Sequence, residues 1–226
     1  MGTDANGTVS DASIDASGKF DNCLSFDPDS FVSIDGVAGT AAFSTNVGAI
    51  SFWVKVNSPT VTDKIHFAFG DTDANTYLKV QNVGTLIQWS LRLAGTIQWE
   101  GRADLLPNNT WTNIIINQDG TEVVVYINNA DDGTWIDETD MSAWVTSAMN
   151  NFRLGCRNYN NYGNSKFFEG FIDDFVIFDT ALTSDQRTFL QSNPASSLTN
   201  CDGIKAYYNC NQLDNSTLTN NAVPIE

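Results

Sequence analysis

The chain has 226 residues, with 11 lysines and arginines against 27 aspartates and glutamates, and its formal net charge is −16. Proteins that bind nucleic-acid phosphates present a basic surface, so this balance argues against a nucleic-acid partner. No stretch approaches the roughly 18 apolar residues of a membrane-spanning helix, and we expect no membrane insertion. A chain of this length with 42% hydrophobic residues has enough apolar material for one all-β domain.

The N-terminal part is predicted to be a loose segment followed by two short strands. Residues 1–17 are rich in Gly, Asp, Ser, Thr and Ala, and we expect them to lie loosely on the surface. Residues 23–26 and 31–34 have the composition of strands. They are joined by Asp-Pro-Asp-Ser at 27–30, residue types that favour turns.

Alternation of apolar and polar residues predicts further strands along most of the chain. In the first half they cover residues 49–56, 65–69, 77–80, 86–93 and 97–100. Asp119-Gly120 between two apolar runs is a strong hairpin signal, and residues 128–150 are predicted to form a long polar loop. One short helix is expected near 183–191, because Thr183 and Gln186 form a capping-box pattern. Many strands and one helix indicate an all-β, two-sheet antiparallel jelly-roll sandwich.

The most apolar predicted strand, at residues 170–178, also carries two acids. Successive strand side chains point to opposite faces, so this strand is apolar on both faces and Asp173 and Asp174 lie on opposite ones. A strand of this kind is typical of the centre of a sandwich. A buried, unpaired carboxylate is costly, so each acid needs a cation, an arginine or backbone N–H donors close by.

Six motifs occur in a characteristic order along the chain. They are Gly18-Lys-Phe-Asp-Asn-Cys-Leu-Ser-Phe-Asp27, Ala49-Ile-Ser-Phe-Trp-Val-Lys-Val56, Asn109-Thr-Trp-Thr-Asn-Ile-Ile-Ile116, Val123-Val-Val-Tyr-Ile-Asn-Asn129, Phe152-Arg-Leu-Gly155 and Gly170-Phe-Ile-Asp-Asp-Phe-Val-Ile-Phe-Asp-Thr-Ala-Leu-Thr183. Together they resemble laminin G-like domains of the concanavalin A-like lectin/glucanase superfamily. The resemblance implies a pentraxin-like jelly roll over residues 18–200.

The C-terminal segment is open to two interpretations. Residues 204–216 resemble the strand that normally opens a laminin G-like domain, and the N-terminus of this chain lacks such a strand. Residues 201–226 therefore form either a C-terminal strand that completes the same domain or the start of a following repeat. We expect the first, because an empty place beside the closing strand would expose unpaired backbone groups.

The resemblance also indicates candidate calcium ligands. In laminin G-like and pentraxin-like relatives, acids of the early Phe-Asp loop and of the closing Ile-Asp-Asp motif contribute to cation or structural networks. The matching residues here are Asp27, Asp29, Asp173 and Asp174, and calcium, which takes six to eight oxygen ligands, is the expected cofactor. The alternative is that Asp173 or Asp174 accepts hydrogen bonds from loop amides, with no metal bound.

Two aromatic loops are candidates for sugar binding. Lectin sites combine an exposed aromatic ring with polar donors and acceptors, and Arg157, Asn158, Tyr159 and Tyr162 supply both within one short loop. Trp135 and Trp144, in the loop at 128–150, are further candidate platforms. For each aromatic residue the alternative is packing in the core or at its rim.

The sequence lacks the patterns of the superfamily's enzymes. Its glucanases place acids on one strand as Glu-x-Asp-x-Glu, whereas the glutamates here are scattered. The only histidine, His66, lies between Ile65 and Phe67, a position more typical of a structural residue. We therefore predict no catalytic residues and no enzymatic activity.

The four cysteines, Cys23, Cys156, Cys201 and Cys210, allow three full pairings. At least one disulfide is expected, and disulfides indicate an oxidising compartment. The alternative is four free, partly buried thiols.

These observations predict an extracellular or cell-surface module that is not an enzyme. It would bind a glycan or another cell-surface ligand, with calcium as a structural or bridging ion. The main alternative is a structural or adhesive repeat of a cell-surface, filament or virion protein. A glycoside hydrolase is a minor alternative, and the oligomeric state stays open.

Overall fold

A computed structural model describes residues 6–37, 45–57, 63–131, 133–198 and 203–222. The first nine strands are β1 (Gly7–Ser10), β2 (Ser13–Asp15), β3 (Cys23–Phe26), β4 (Phe31–Ser33), β5 (Val47–Val56), β6 (Lys64–Gly70), β7 (Tyr77–Val83), β8 (Leu86–Leu93) and β9 (Thr96–Asp104). The others are β10 (Thr112–Asp119), β11 (Val123–Ile127), β12 (Ala130–Asp131), β13 (Thr134–Asp137), β14 (Asn151–Leu154), β15 (Gly170–Phe178), β16 (Ile204–Tyr208), β17 (Leu213–Asp214) and β18 (Thr217–Leu218). The helix α1 is Ser184–Leu190.

The strands form two antiparallel sheets, as predicted. The first contains ten strands in the order β13-β9-β8-β7-β6-β14-β4-β1-β18-β17. The second contains eight, in the order β12-β11-β10-β5-β15-β3-β2, with β16 also paired to β15. The helix begins with the predicted capping box, in which Thr183 and Gln186 bond reciprocally. No helix in these residues is long and apolar enough to cross a bilayer.

The core lies between the two sheets and is rich in phenylalanine. Phe69 and Phe152, on neighbouring strands of the first sheet, stack with ring centroids 4.1 Å apart. Phe175 of the second sheet meets Phe67 of the first at 5.6 Å in an edge-to-face arrangement. Such ring pairs contribute about 0.5–1.5 kcal/mol each beyond the area they bury. The two sheets are thus joined by direct aromatic contacts.

The central strand of the second sheet, β15, has different partners along its two edges. On one edge it pairs with β5 over nearly its whole length. On the other, Gly170–Ile172 pair with β3, and Phe175–Phe178 pair with β16. Asp173 and Asp174 therefore lie between the ends of two partner strands.

The N-terminal residues depart from the prediction of a loose segment at 1–17. Residues 7–10 pair with β4 and β18, and residues 13–15 pair with β3. Val9 and Ala12 are buried, which explains why these strands form although their composition is polar.

The C-terminal segment contributes to both sheets. β16 lies beside β15, while β18 pairs with β1 in the ten-stranded sheet. The segment folds back onto the same sandwich, in the place that an opening strand would otherwise fill.

Two smaller predictions were wrong within the described residues. The interval 128–150 is not entirely a loop, because β12 and β13 each extend a sheet edge. Cys23, Cys156 and Cys210 are buried free thiols, so none of these three forms the expected disulfide, whereas Cys201 lies outside the described residues. Cys23 and Cys156 are far apart, because Cys23 belongs to β3 of the eight-stranded sheet and Cys156 follows β14 of the other sheet.

Candidate ligand-binding surface

Asp173 and Asp174 are buried, and backbone amides satisfy them. Asp173 accepts from the Phe20 N–H at 2.9 Å and from the Asp174 N–H at 2.7 Å, and Asp174 accepts from the Ala195 N–H at 3.0 Å. A bulge in β15 begins here, with Asp174 in the left-handed region at φ 50°. Asp173 thus holds the segment that contains Phe20, and Asp174 the segment that contains Ala195, beside the gap between β3 and β16.

Burial changes the titration of both acids. It raises the pKa of Asp173 to about 7, although the Phe20 N–H acts in the opposite direction. Burial also raises the pKa of Asp174 to about 6, against hydrogen bonds from Tyr207 and Ala195 that favour the charged form. Desolvation outweighs the hydrogen bonds in each case.

The four acids predicted to bind calcium do not form one site. Asp27 and Asp29 are exposed in the turn between β3 and β4. Asp27 follows the residue that pairs with Gly170, so about four residues of strand, roughly 13 Å, separate it from Asp173. Among the described residues no three acids, histidines or cysteines cluster in a way that could hold a metal. Asp173 has hydrogen bonds on both oxygens, and this donor set does not fit a calcium ion.

The two predicted tryptophan platforms belong to the core. Trp144 is 2% exposed and packs against Gly48, so the prediction that it presents a ring to a ligand was wrong. Trp135 is half-buried and makes edge-to-face contacts with Trp89 and Trp99.

The loop at 156–166 packs on the outer face of the ten-stranded sheet. Tyr159 is 3% exposed and stacks on Tyr77 of β7, with centroids 4.3 Å apart. A Cβ on Gly70 would lie 2.6 Å from the Tyr159 Cβ, so this glycine permits the close approach. Tyr159 was predicted to contact a ligand, but it instead anchors the loop to the sheet.

Tyr162 and Arg157 are the parts of this loop that a ligand can reach. Tyr162 is 56% exposed, and the Arg157 guanidinium lies 4.1 Å from its ring centroid. Arg157 is further positioned by donating from Nε to Ser165 Oγ at 3.0 Å. The Asn158 backbone carbonyl lies 2.8 Å from the side-chain amide of Asn151, so Asn158 helps to secure the loop.

Beside this loop, polar side chains of β7 and β8 line the same outer face. Strand register places Tyr77 opposite Arg92, Lys79 opposite Ser90 and Gln81 opposite Gln88. Arg92 Nε donates to the Tyr77 hydroxyl at 3.1 Å, and the two glutamines bond to each other. The sequence interpretation did not include these residues, although their alternation with apolar residues signalled a polar sheet face.

A second concave region lies at the β9–β13 edge of the same sheet. It encloses about 560 Å³ and is lined by Arg102, Asp104, Asp131, Thr134 and Ile136, among others. Ile136 is 49% exposed. None of the described residues that line this region is aromatic, which makes it the weaker candidate for sugar binding.

Comparison with protein families identifies the fold. A laminin G family model, described as belonging to the concanavalin A-like lectin/glucanases superfamily, matches residues 30–186. The chain belongs to this superfamily. The family membership predicted from the six motifs is therefore confirmed. No protein with a curated function matches the sequence.

Solved structures with a similar fold include domains bound to sugars. Domain 4 of the extracellular GH43 arabinanase AbnA from Geobacillus stearothermophilus, in complex with arabinotriose, is 21% identical and has a TM-score of 0.56, with 83% of this chain and 88% of that chain covered. The Ruminococcus gnavus sialidase CBM40 bound to α2,3-sialyllactose is 12% identical with a TM-score of 0.58, covering 84% and 100%. The botulinum neurotoxin type G receptor-binding domain is 15% identical with a TM-score of 0.57, covering 81% and 45%. At these identities the likeness concerns the fold.

Proposed function

We propose that the protein is an extracellular, non-catalytic carbohydrate-binding module whose site is the outer face of the ten-stranded sheet beside Tyr162. The observation that carries this proposal is the exposed Tyr162 ring, held by Arg157 and backed by the Tyr159–Tyr77 stack. Sugars present apolar C–H faces and rims of hydroxyl groups. The exposed ring is complementary to the apolar C–H face, and the Arg157 guanidinium beside it can donate to the hydroxyl groups.

Three observations support the non-catalytic, extracellular assignment. The carboxylates of Glu100 and Glu169 are engaged by Arg102 and Lys64. The fold is shared with a carbohydrate-binding module bound to sialyllactose and with a domain of an extracellular arabinanase bound to arabinotriose. The strongly acidic composition suits a secreted domain that stays soluble through its net charge.

Calcium is not required by this proposal. The acids predicted to bind it are either held by backbone amides or exposed in a separate turn. If the protein nevertheless depends on calcium, glycan binding will disappear in EGTA and return when calcium is added.

A glycan array with three proteins tests the proposal. The wild-type chain is expected to retain a defined group of glycans, and Tyr162→Ala should lose at least tenfold in affinity for them. Ile136→Ala is the matched control, because it removes another exposed apolar side chain, at the second concave region. Loss of binding in Ile136→Ala alone would move the site to that region. An array without any retained glycan would reject carbohydrate binding.

A further inference from the structure

Three cations on the candidate surface have no acidic partner among the described residues. Within the described residues, ion pairs with acids are formed by Lys64, Arg102, Arg153, Lys166 and Lys205. Lys79, Arg92 and Arg157 form none, although the protein carries 27 acids against 11 basic residues. Lys19, Lys55 and Arg187 also lack an acidic partner in the described part of the chain, so what distinguishes Lys79, Arg92 and Arg157 is that three such cations share one sheet face.

These cations lie close together on the sheet face. Lys79 and Arg92 are on adjacent strands, two residues from direct opposition. Arg157, in the overlying loop, lies 5.8 Å from the ring centroid of Tyr159, which stacks on Tyr77. The Lys79 ammonium lies 5.2 Å from the Tyr77 ring centroid. Glu100 lies in the same cross-strand row, opposite Ser90 on β9, and its carboxylate also faces Arg102 at 3.6 Å.

A buried hydroxyl beside Lys79 is also unsatisfied. Ser90 lies directly opposite Lys79 in the strand register and is 1% exposed, yet its Oγ has no hydrogen-bond partner. An unsatisfied buried polar group costs about 1–3 kcal/mol. Because the Ser90 hydroxyl is itself buried, it adds a polar group beside Lys79 but no contact for a ligand.

Titration of Lys79 agrees with this geometry. Burial lowers the pKa of Lys79 to about 8, and the charges of Arg157 and Arg92 act in the same direction, although Glu100 and Asp63 oppose them. The ammonium is therefore held in an environment that disfavours its charge. A bound anion would relieve this penalty.

We propose that the saccharide bound at this surface carries a carboxylate, which contacts Lys79 and Arg157 while the sugar ring lies against Tyr162. This inference rests on the proposed carbohydrate-binding function and adds the chemical class of the ligand. Arginine forms paired hydrogen bonds with a planar carboxylate, and lysine adds a point charge. Arg92, held by Tyr77 and by the Gly95 carbonyl, contributes positive charge behind them.

The net charge of the protein also limits how long and how highly charged the ligand can be. A long polyanion would extend beyond the three cations and be repelled by a molecule of formal charge −16. A saccharide with one or a few carboxylates places its charge only where the cations are. Short acidic oligosaccharides or acidic chain ends therefore fit best.

Isothermal titration of the full chain with matched ligand pairs tests the inference. The first pair is trigalacturonate and its trimethyl ester, in which a methyl group on each carboxyl removes the negative charge. The second pair is sialyllactose and lactose. At least one acid is expected to bind ten times or more tightly than its neutral counterpart, and this preference should weaken when NaCl is raised from about 50 to 500 mM.

Variants assign the preference to specific residues. Lys79→Met and Arg157→Gln are expected to reduce the preference for the acid at least fivefold. Lys205→Met is the control, because it removes one positive charge from the other sheet, where Lys205 pairs with Asp179 at 2.7 Å. A preference that persists in both Lys79→Met and Arg157→Gln would overturn the assigned site.

The outcomes separate this inference from the proposed function. Equal binding of acid and neutral ligands, abolished by Tyr162→Ala, would leave carbohydrate binding in place and overturn the carboxylate inference. Glycan-array hits limited to neutral sugars would have the same meaning. No binding to either pair, together with an array without hits, would overturn both.

Discussion

Replacing Asp173 with asparagine should change how the stability of the fold depends on pH. Burial raises the pKa of Asp173 from 3.8 to about 7 in the folded protein. The folded state therefore holds this proton more tightly than the unfolded chain does. The resulting stabilisation is complete below pH 4 and is lost as the pH rises through 7.

The size of the effect follows from this shift. Between pH 5 and pH 8, the Asp173 carboxyl alone should lower the free energy of unfolding by on the order of 2–3 kcal/mol, since one pKa unit corresponds to about 1.4 kcal/mol. Burial lowers the pKa of His66 from 6.5 to about 4. This histidine acts in the opposite direction, because the stability it contributes above pH 6.5 is lost as the pH falls. Asp174, whose pKa burial raises to about 6, acts in the same direction as Asp173. The wild-type profile therefore combines several groups, and only comparison with a variant isolates Asp173.

Urea denaturation at pH 5, 6, 7 and 8 measures the effect. Asp173→Asn should be about 1 kcal/mol less stable than wild type at pH 5, because a single amide oxygen cannot accept from both N–H groups as the two carboxyl oxygens do. It should gain roughly 2–3 kcal/mol relative to wild type by pH 8, or about 5–10 °C in Tm for a domain of this size. Asp27→Asn removes an equal charge from an exposed turn and should show no such gain. A constant difference between wild type and Asp173→Asn from pH 5 to pH 8 would refute the reasoning.

Three further changes test other parts of the structure. Gly70→Ala places a Cβ 2.6 Å from the Tyr159 Cβ. It should lower the free energy of unfolding by about 1–3 kcal/mol and weaken glycan binding at Tyr162. An unchanged Tm and an unchanged glycan affinity would contradict the packing described. Deleting residues 203–226 removes β16 and β18 and exposes one edge of β15. The Tm should fall by roughly 10 °C or more, or the protein should aggregate. An unchanged Tm would show that this segment is not part of the folding unit. Lys79→Met should leave Tm at pH 7 unchanged or raise it, because burial lowers the pKa of Lys79 from 10.5 to about 8 and the ammonium therefore weakens the fold below pH 8. A clear fall in Tm would mean that Lys79 has a stabilising partner in the folded protein.

Local patterns were sufficient for the elements with strong periodicity or well-defined turn chemistry. The strand at 170–178 and the hairpin at Asp119-Gly120 occur as predicted. So does the helix capped by Thr183. Each depends on residues near one another in the chain, which act through alternation, backbone conformation or capping.

The candidate surface depended on contacts that no local pattern contains. Tyr159 and Tyr162 are similar in sequence, but one is 3% exposed and the other 56%. The difference arises because Tyr159 stacks on Tyr77, a residue more than 80 positions earlier. Asp173 likewise takes its amide donor from Phe20, 153 residues away.

The amino-acid sequence alone determined the all-β class, the superfamily, the central strands and the presence of two acids that needed close donors. Only the tertiary structure decided what those donors are, which aromatic ring reaches solvent, and that Lys79, Arg92 and Arg157 share one face. The physical reason is that alternation assigns each residue to a side of its own strand. Strand register and loop packing then decide which sides meet, and these depend on pairings between distant parts of the chain.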